Sequence, residues 1–328
     1  MRVLVTGGAG YIGSHVVWEL LEAGHEPVVI DNLSKGHAAA LPTGVSLLQG
    51  DLADASFIRY AISTVKPQAV MHFAGFIEVG ESVQQPGRYY RNNVSNSLNL
   101  LEAMVEFGVQ YIVFSSTAAV YGEPIRIPID EDHPKVPLNP YGESKLFVES
   151  MLARYEQAHG VRSICLRYFN AAGAHPSGKI GEAHQPETHL IPIVLQAAAG
   201  QRSHVYIYGT DYPTEDGSCV RDYVHVCDLA AAHRLAIQVL AAGGPSGVYN
   251  LGNGRGFSVR QIIAATQKVT GQSITTMEAP RRAGDPAVLV ASAQLARQKL
   301  GWQPQYTVID DIINSAWRWH KAHPLGFA

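Results

Sequence analysis

The groups in this chain best equipped for chemistry are the phenol of Tyr141 and the ammonium of Lys145, four residues apart in the run Tyr-Gly-Glu-Ser-Lys. In a helix, that spacing places both side chains on one face. A nearby cation favours the phenolate, which would let the tyrosine act as a base near neutral pH. Lowering a phenol from about 10 toward 7 takes roughly 4 kcal/mol of differential stabilisation, within reach of a close positive charge. Upstream, Ser115-Ser116-Thr117 closes an apolar run and offers hydroxyls where open α/β sheets present ligands, at the carboxyl end of a strand. A hydroxyl there can bond the oxygen that Tyr141 would deprotonate, and equally it can serve as a turn or cap.

A second constellation stands at the beginning of the chain. Thr6-Gly7-Gly8-Ala9-Gly10-Tyr11-Ile12-Gly13 follows a β-branched run and opens a helical pattern, the context of a dinucleotide-binding turn. Gly7 allows the tight turn, Gly10 lets backbone approach a pyrophosphate, and Gly13 permits close packing of helix on sheet. The N–H groups of the helix that Tyr11 and Ile12 begin would face the phosphates. Asp31 ends the next β-rich run, where a carboxylate accepts from the adenosine ribose hydroxyls and repels a 2′-phosphate, favouring NAD over NADP. Asp51 suits either the adenine edge or the N-cap of a helix over 53–62.

These groups need a framework to hold them. Short apolar runs at 3–5, 27–31, 45–48, 69–73, 111–115 and 163–167 alternate with helical patterns, among them 11–23, 86–107 and the segment carrying Tyr141. Runs without polar alternation are expected of parallel strands covered on both faces, so the fold class is α/β, a doubly wound parallel sheet of Rossmann type. Beyond residue 170 the character changes: glycine, proline and histidine are frequent, 202–217 and 278–286 read as loops, and 229–240 and 259–270 as helices. The reading is an NAD-binding domain over 1–169 and a smaller, interleaved α/β substrate-binding domain over 170–328. A strand at 248–250 is expected to return to the first sheet.

Composition narrows the possibilities. The chain has 328 residues, 46% of them hydrophobic and 16% charged, and a formal net charge of −3 without a Lys/Arg run, which argues against nucleic-acid or membrane-surface binding. Cys165, Cys219 and Cys227 are odd in number and lack paired spacing, as expected of reduced thiols in a cytoplasmic protein. Only six residues precede the first glycine turn, so no signal peptide is expected, and no apolar run approaches the roughly 20 residues that span a bilayer. His175, His184 and His189 are irregularly spaced in a polar loop, which favours surface or substrate-lining roles over a metal site.

Taken with those motifs, the chain resembles the extended short-chain dehydrogenase/reductase superfamily and, within it, the UDP-hexose 4-epimerases. The resemblance runs from Met1 to about Trp319 and is most specific at 7–15, 31–33, 73–75, 79–83, 141–145, 167–173, 212–217 and 220–223. It implies Tyr141 as base on the sugar C4 hydroxyl, Lys145 as its electrostatic partner and a ribose ligand, and Thr117 as the hydroxyl placing O4. It implies a cofactor pocket formed with Asn32, Leu52, Phe73, Ala74, Asn92, Ser115 and Tyr168. Asn170, Arg221, Arg282 and Asp285 would hold UDP, Tyr208 would lie against uracil, and His189, also on the substrate side, stands where some members have asparagine and can still donate a hydrogen bond. Ile77 replaces a lysine found in some members. Leu289 falls where the family varies between aromatic and small residues beside the sugar, leaving N-acetylhexosamines open as substrates.

The activity so implied is C4 inversion of a UDP-hexose, with NAD retained and recycled in each turnover and a homodimer formed through the helices around 92–107 and 141–157. A nucleotide-sugar dehydratase or decarboxylase would begin with the same oxidation. The dehydratases, however, use an acid/base pair after the strand-end threonine, where this chain has Ala118-Ala119. A non-catalytic NAD-binding regulator would have no use for the Tyr141, Thr117 and Lys145 set.

Overall fold

The computed structural model describes residues 1–282 and 284–327. Its first half runs β1 (Arg2–Thr6), α1 (Tyr11–Glu22), β2 (Glu26–Asp31), β3 (Ser46–Gln49), α2 (Ala55–Val65), β4 (Ala69–His72), α3 (Val79–Gln84), α4 (Pro86–Tyr89), α5 (Asn96–Glu106), β5 (Tyr111–Thr117), α6 (Pro140–His159) and β6 (Arg162–Tyr168). The second half runs β7 (Asn170–Ala172), α7 (Leu190–Ala198), β8 (Val205–Tyr208), β9 (Val220–His225), α8 (Val226–Ala241), β10 (Gly247–Leu251), β11 (Gly256–Ser258), α9 (Val259–Thr270), β12 (Thr276–Ala279), β13 (Val288–Leu289), α10 (Gln294–Leu300) and α11 (Ile309–Ala322).

Seven parallel strands form the main sheet in the order β10-β6-β5-β4-β1-β2-β3. The pleat of β1 explains why its run is apolar throughout. Val3 and Val5 face Val16, Val17 and Leu20 of α1 and Leu229, Ala236 and Leu240 of α8. Leu4 faces the other way, toward Ile58 and Ile62 of α2, Leu100 and Met104 of α5, and Val148 and Leu152 of α6. The chain leaves β1 toward β2 and β3, then re-enters on the opposite side as β4. This reversal opens a crevice beyond the carboxyl ends of β1 and β4.

The later residues do not form a separate bead. Strand β10 pairs in parallel with β6, and α8 covers the main sheet beside α1. Strands β7, β9, β11 and β13 make a small sheet, and β8 pairs in parallel with β12. That last pair corrects the expectation of loops at 202–217 and 278–286. Alternate burial marks β8, but β12 is mostly exposed and carries no apolar pattern that would reveal it.

Two other expectations are adjusted. The stretch 86–107 is not one regular helix: Tyr90–Ser95 winds as a π-helix between α4 and α5. Such widened turns often stand at functional sites, and this one carries Asn92 and Asn93. Helix α2 starts at Ala55 rather than Ala53, capped by Asp54, whose side chain accepts from the N–H groups of Ser56 and Phe57. Asp51 is therefore not its cap.

Candidate active site

A cavity of about 490 Å³ occupies the crevice at the carboxyl ends of the main-sheet strands. The glycine turn forms one wall. Gly7 has φ +70°, and a Cβ there would lie 2.5 Å from the Ala74 nitrogen; a Cβ on Gly13 would lie 2.2 Å from the Gly7 carbonyl oxygen. The turn thus closes only with glycine, bringing bare backbone and the N-terminus of α1 to the cavity. Asp31, buried at the end of β2, accepts from Ala9 N–H (3.0 Å) and Leu33 N–H (2.8 Å). Burial raises its pKa and those two bonds oppose the rise. Each carboxylate oxygen keeps accepting capacity beyond one bond, so Asp31 can also receive ribose hydroxyls. Asn32 donates to Asp51 (2.8 Å), which also accepts from Ala53 N–H (2.8 Å), so these two side chains and Leu52 form one rim of the cavity.

The opposite wall is built by β5 and α6. Asn139 caps α6 by accepting from Gly142 N–H (2.9 Å), with Pro140 in its first turn. Lys145 is buried and donates to the Ser115 carbonyl (2.9 Å), its ammonium 4.9 Å from the Phe114 ring centre. Burial lowers its pKa to about 8 despite the opposing charge of Glu149. For Tyr141, burial raises the pKa and a hydrogen bond with the Thr117 hydroxyl pulls it down. The anticipated lowering of the phenol by Lys145 is not met by the chain's own side chains, because desolvation prevails over them. Tyr168 and Ser115 bond to each other through their hydroxyls.

Three supporting residues escaped the sequence reading. Glu149 lies one turn beyond Lys145, accepts from Ser116 Oγ (2.5 Å) and pairs with buried Arg167 (2.9 and 2.5 Å). Its four-residue offset from Lys145 was the available signal. Asn93 accepts from Phe76 N–H (2.8 Å) and donates to Phe76 carbonyl and Ser144 Oγ (both 3.0 Å), tying the cavity's Gly75–Phe76 floor to α6. Nothing in local sequence marks that role. Gly36 is the third: a Cβ there would lie 2.9 Å from Asp31 Oδ1.

Every residue assigned from sequence to the cofactor lines this cavity, including Tyr11, Ile12, Phe73, Ala74 and Asn92. Thr117, Asn170, His189, Arg221, Asp285 and Leu289 line it too, as does Ile77. Asn170 donates to the Asp222 carbonyl (3.0 Å), and Arg221 is ion-paired with Asp285. Tyr208 and Arg282 stand apart from the lining residues described, with the guanidinium 4.0 Å from the tyrosine ring centre. His189 belongs to a cluster with Glu182, His184 and Glu187, whereas His175 packs against Trp18 and His15.

The family model described as the NAD dependent epimerase/dehydratase family matches residues 3–252. A UDP-glucose 4-epimerase of Halalkalibacterium halodurans is 55% identical over 328 residues, covering 100% of this chain and 98% of that protein. A crystal structure of a UDP-glucose 4-epimerase superposes with a TM-score of 0.98 at 52% identity, over 100% of both chains. That of the Bifidobacterium longum UDP-glucose 4-epimerase in complex with NAD+ and UDP superposes with a TM-score of 0.94 at 40% identity, again over 100% of both.

Proposed function

Because the chain belongs to the NAD dependent epimerase/dehydratase family, we propose that it interconverts UDP-galactose and UDP-glucose by inverting C4 through a transient 4-keto sugar, with NAD as resident cofactor. The observation that carries this reading is the convergence of Tyr141, Thr117 and Lys145 on a cavity whose facing wall is the glycine cradle.

The residues present fit NAD. The cradle at Gly7, Gly10 and Gly13 would take the pyrophosphate, Asp31 the adenosine ribose, and Asn32, Asp51 and Leu52 the adenine side. Phe73, Ala74, Asn92, Ser115, Tyr168 and Lys145 would surround the nicotinamide half. When bound, NAD supplies a reversible hydride acceptor and a positive charge that favours the phenolate which burial alone disfavours. Tyr141 then takes the O4 proton while the Thr117 hydroxyl holds that oxygen, and Lys145, charged at neutral pH, keeps a cation beside them. Asn170, Arg221 and Asp285 would grip UDP, joined by Tyr208 and Arg282, whose stacked pair offers a cation and an aromatic face. A tether through UDP lets the ketone turn and present its other face without leaving. Ala118 and Ala119 line the cavity where a dehydratase would need acid and base.

Leu289 on the cavity wall supports a second substrate class, the UDP-N-acetylhexosamines, because leucine leaves more room than an aromatic side chain. Exposed Leu98 on α5 and Phe147 on α6 support a homodimer through these helices, checked by light scattering in solution. Among the described residues, no helix is long and apolar enough to cross a membrane.

The deciding experiment incubates purified protein with UDP-galactose and no added NAD, then separates the two UDP-hexoses over time. UDP-glucose should appear. No conversion, even with NAD supplied, would sink the UDP-hexose assignment.

A further inference from the structure

Glu182, His184, Glu187 and His189 bring one ligand atom each to within 4.8 Å of one another. They come from a single run, Glu-x-His-x-x-Glu-x-His, that leads into α7, where His189 occupies the N-cap position. Both imidazoles use the same nitrogen. His184 Nδ1 lies 3.0 Å from Glu182 Oε1 and 3.9 Å from Glu187 Oε2, and His189 Nδ1 lies 2.9 Å from one oxygen of each glutamate.

From this geometry we propose that the loop is a structural binding site for one divalent transition-metal ion, with zinc the preferred occupant. Zinc held at about 2.0–2.1 Å by nitrogen and oxygen in a tetrahedron separates its ligand atoms by roughly 3.4 Å, and the four imidazole–carboxylate separations of 2.9, 2.9, 3.0 and 3.9 Å bracket that figure. Charge points the same way. The two glutamate side chains are only 5% and 4% exposed, and among the described residues no lysine or arginine pairs with either. Glu187 also accepts from the N–H groups of Thr188 and His189 (both 2.8 Å), but among the described residues the charged partners of the two buried carboxylates are imidazoles alone, and a divalent cation between them would neutralise both. Lys35, the nearby cation, is engaged elsewhere, donating to the Gln185 carbonyl and to Glu78. Two imidazoles and two carboxylates are a donor set suited to zinc.

The consequence concerns the wall of the active-site cavity. Glu182, His184, Pro186, Thr188 and His189 all line it, so the ion would staple a loop rich in irregular backbone. With Nδ1 on the metal, His189 carries its proton on Nε2 and becomes a fixed donor. The ion has no part in the chemistry at C4, and the site stands whether or not the sugar substrate is the one proposed.

The test measures zinc in the purified, NAD-retaining protein by mass spectrometry after equilibration with zinc and removal of loosely held metal. One zinc per chain is expected. His184→Ala and Glu182→Gln should weaken zinc binding by at least the roughly 10- to 100-fold that even an outer-shell change produces. His175→Ala, outside the cluster, should bind as the parent does. Retained NAD in each variant shows that it is folded. As a second readout, zinc should raise the Tm of the parent and of His175→Ala and leave that of the other two unchanged. Zinc far below one per chain in the parent, or equal retention by His184→Ala, would overturn the proposal.

Discussion

Replacing Lys145 by methionine should make the protein more stable while stopping turnover. The ammonium is buried, and desolvation brings its pKa from an ordinary 10.5 down to about 8. That difference is roughly 3 kcal/mol by which folding disfavours the charged form at pH 7. Methionine is similar in length and uncharged, but it forfeits the hydrogen bond to the Ser115 carbonyl, a loss of about 1–2 kcal/mol. A net gain of about 1–2 kcal/mol is therefore expected for the cofactor-free chain, with the Glu149–Arg167 pair left intact. Because the folded-state pKa of a base is depressed, the unfolded chain binds the additional proton between about 8 and 10.5, and parent stability rises with pH across that window. At pH 9.5 only about 1.5 kcal/mol of the penalty is left, so the methionine variant should lose about 2 kcal/mol of its advantage between pH 7 and pH 9.5. Urea denaturation of both cofactor-free proteins at the two pH values reads this directly, since other titrating groups cancel in the difference. A variant no more stable at pH 7, with a difference independent of pH, would refute the view of Lys145 as a buried charge held at a cost to stability.

Tyr141→Phe should lower kcat by about 10²–10⁴ through loss of the proton acceptor, while NAD released on denaturation stays at the parent level. Glu149→Gln leaves the Arg167 guanidinium buried without its carboxylate; unfolding experiments should show a loss of about 3–5 kcal/mol, partly recovered when Arg167→Met is added. Gly13→Ala drives a Cβ to 2.2 Å from the Gly7 carbonyl oxygen, so the cradle must open, and the variant should be purified with little NAD. Leu289→Ala should raise kcat/KM for UDP-N-acetylgalactosamine relative to UDP-galactose, and Leu289→Tyr should lower it; one well-packed methylene changes such a ratio by roughly 10-fold or more.

The main sheet was legible because its strands are covered on both faces. Stretches such as 3–5 and 112–114 carry no polar residue that a loop would need, and the glycine turn between β1 and α1 has the spacing of a dinucleotide-binding turn. What escaped notice was held by side chains distant in sequence, or by backbone alone. Strand β12 is an exposed ribbon whose only marker is pairing with β8, over sixty residues away. The π-helix at Tyr90–Ser95 has no compositional signature. Glu182 and Glu187 received no role from sequence, and folding buries them against two histidines. The lowering expected at Tyr141 is opposed by burial for a related reason, since spacing shows a neighbouring charge and says nothing of desolvation.

The helix carrying the chemistry shows how these hidden contacts act. Tyr141, Lys145 and Glu149 follow one another at four-residue steps along α6 and share a face. The first two meet the cavity; the third is sunk into the sheet. Glu149 accepts from Ser116 on β5 and Arg167 on β6, and Arg167 donates to the Tyr121 hydroxyl (2.9 Å), which donates to Asn250 on β10 (2.6 Å). Three neighbouring strands are thereby bonded to one point on α6. Any rotation of the helix about its axis would break a buried ion pair, costing several kcal/mol, before it moved the Tyr141 oxygen far. Asn93, in the π-helix, reaches Ser144 on the same helix and fixes its opening turn. A base that must meet a rotating sugar from a constant position needs such anchoring. The interleaved return of β10 to the main sheet is part of what supplies it.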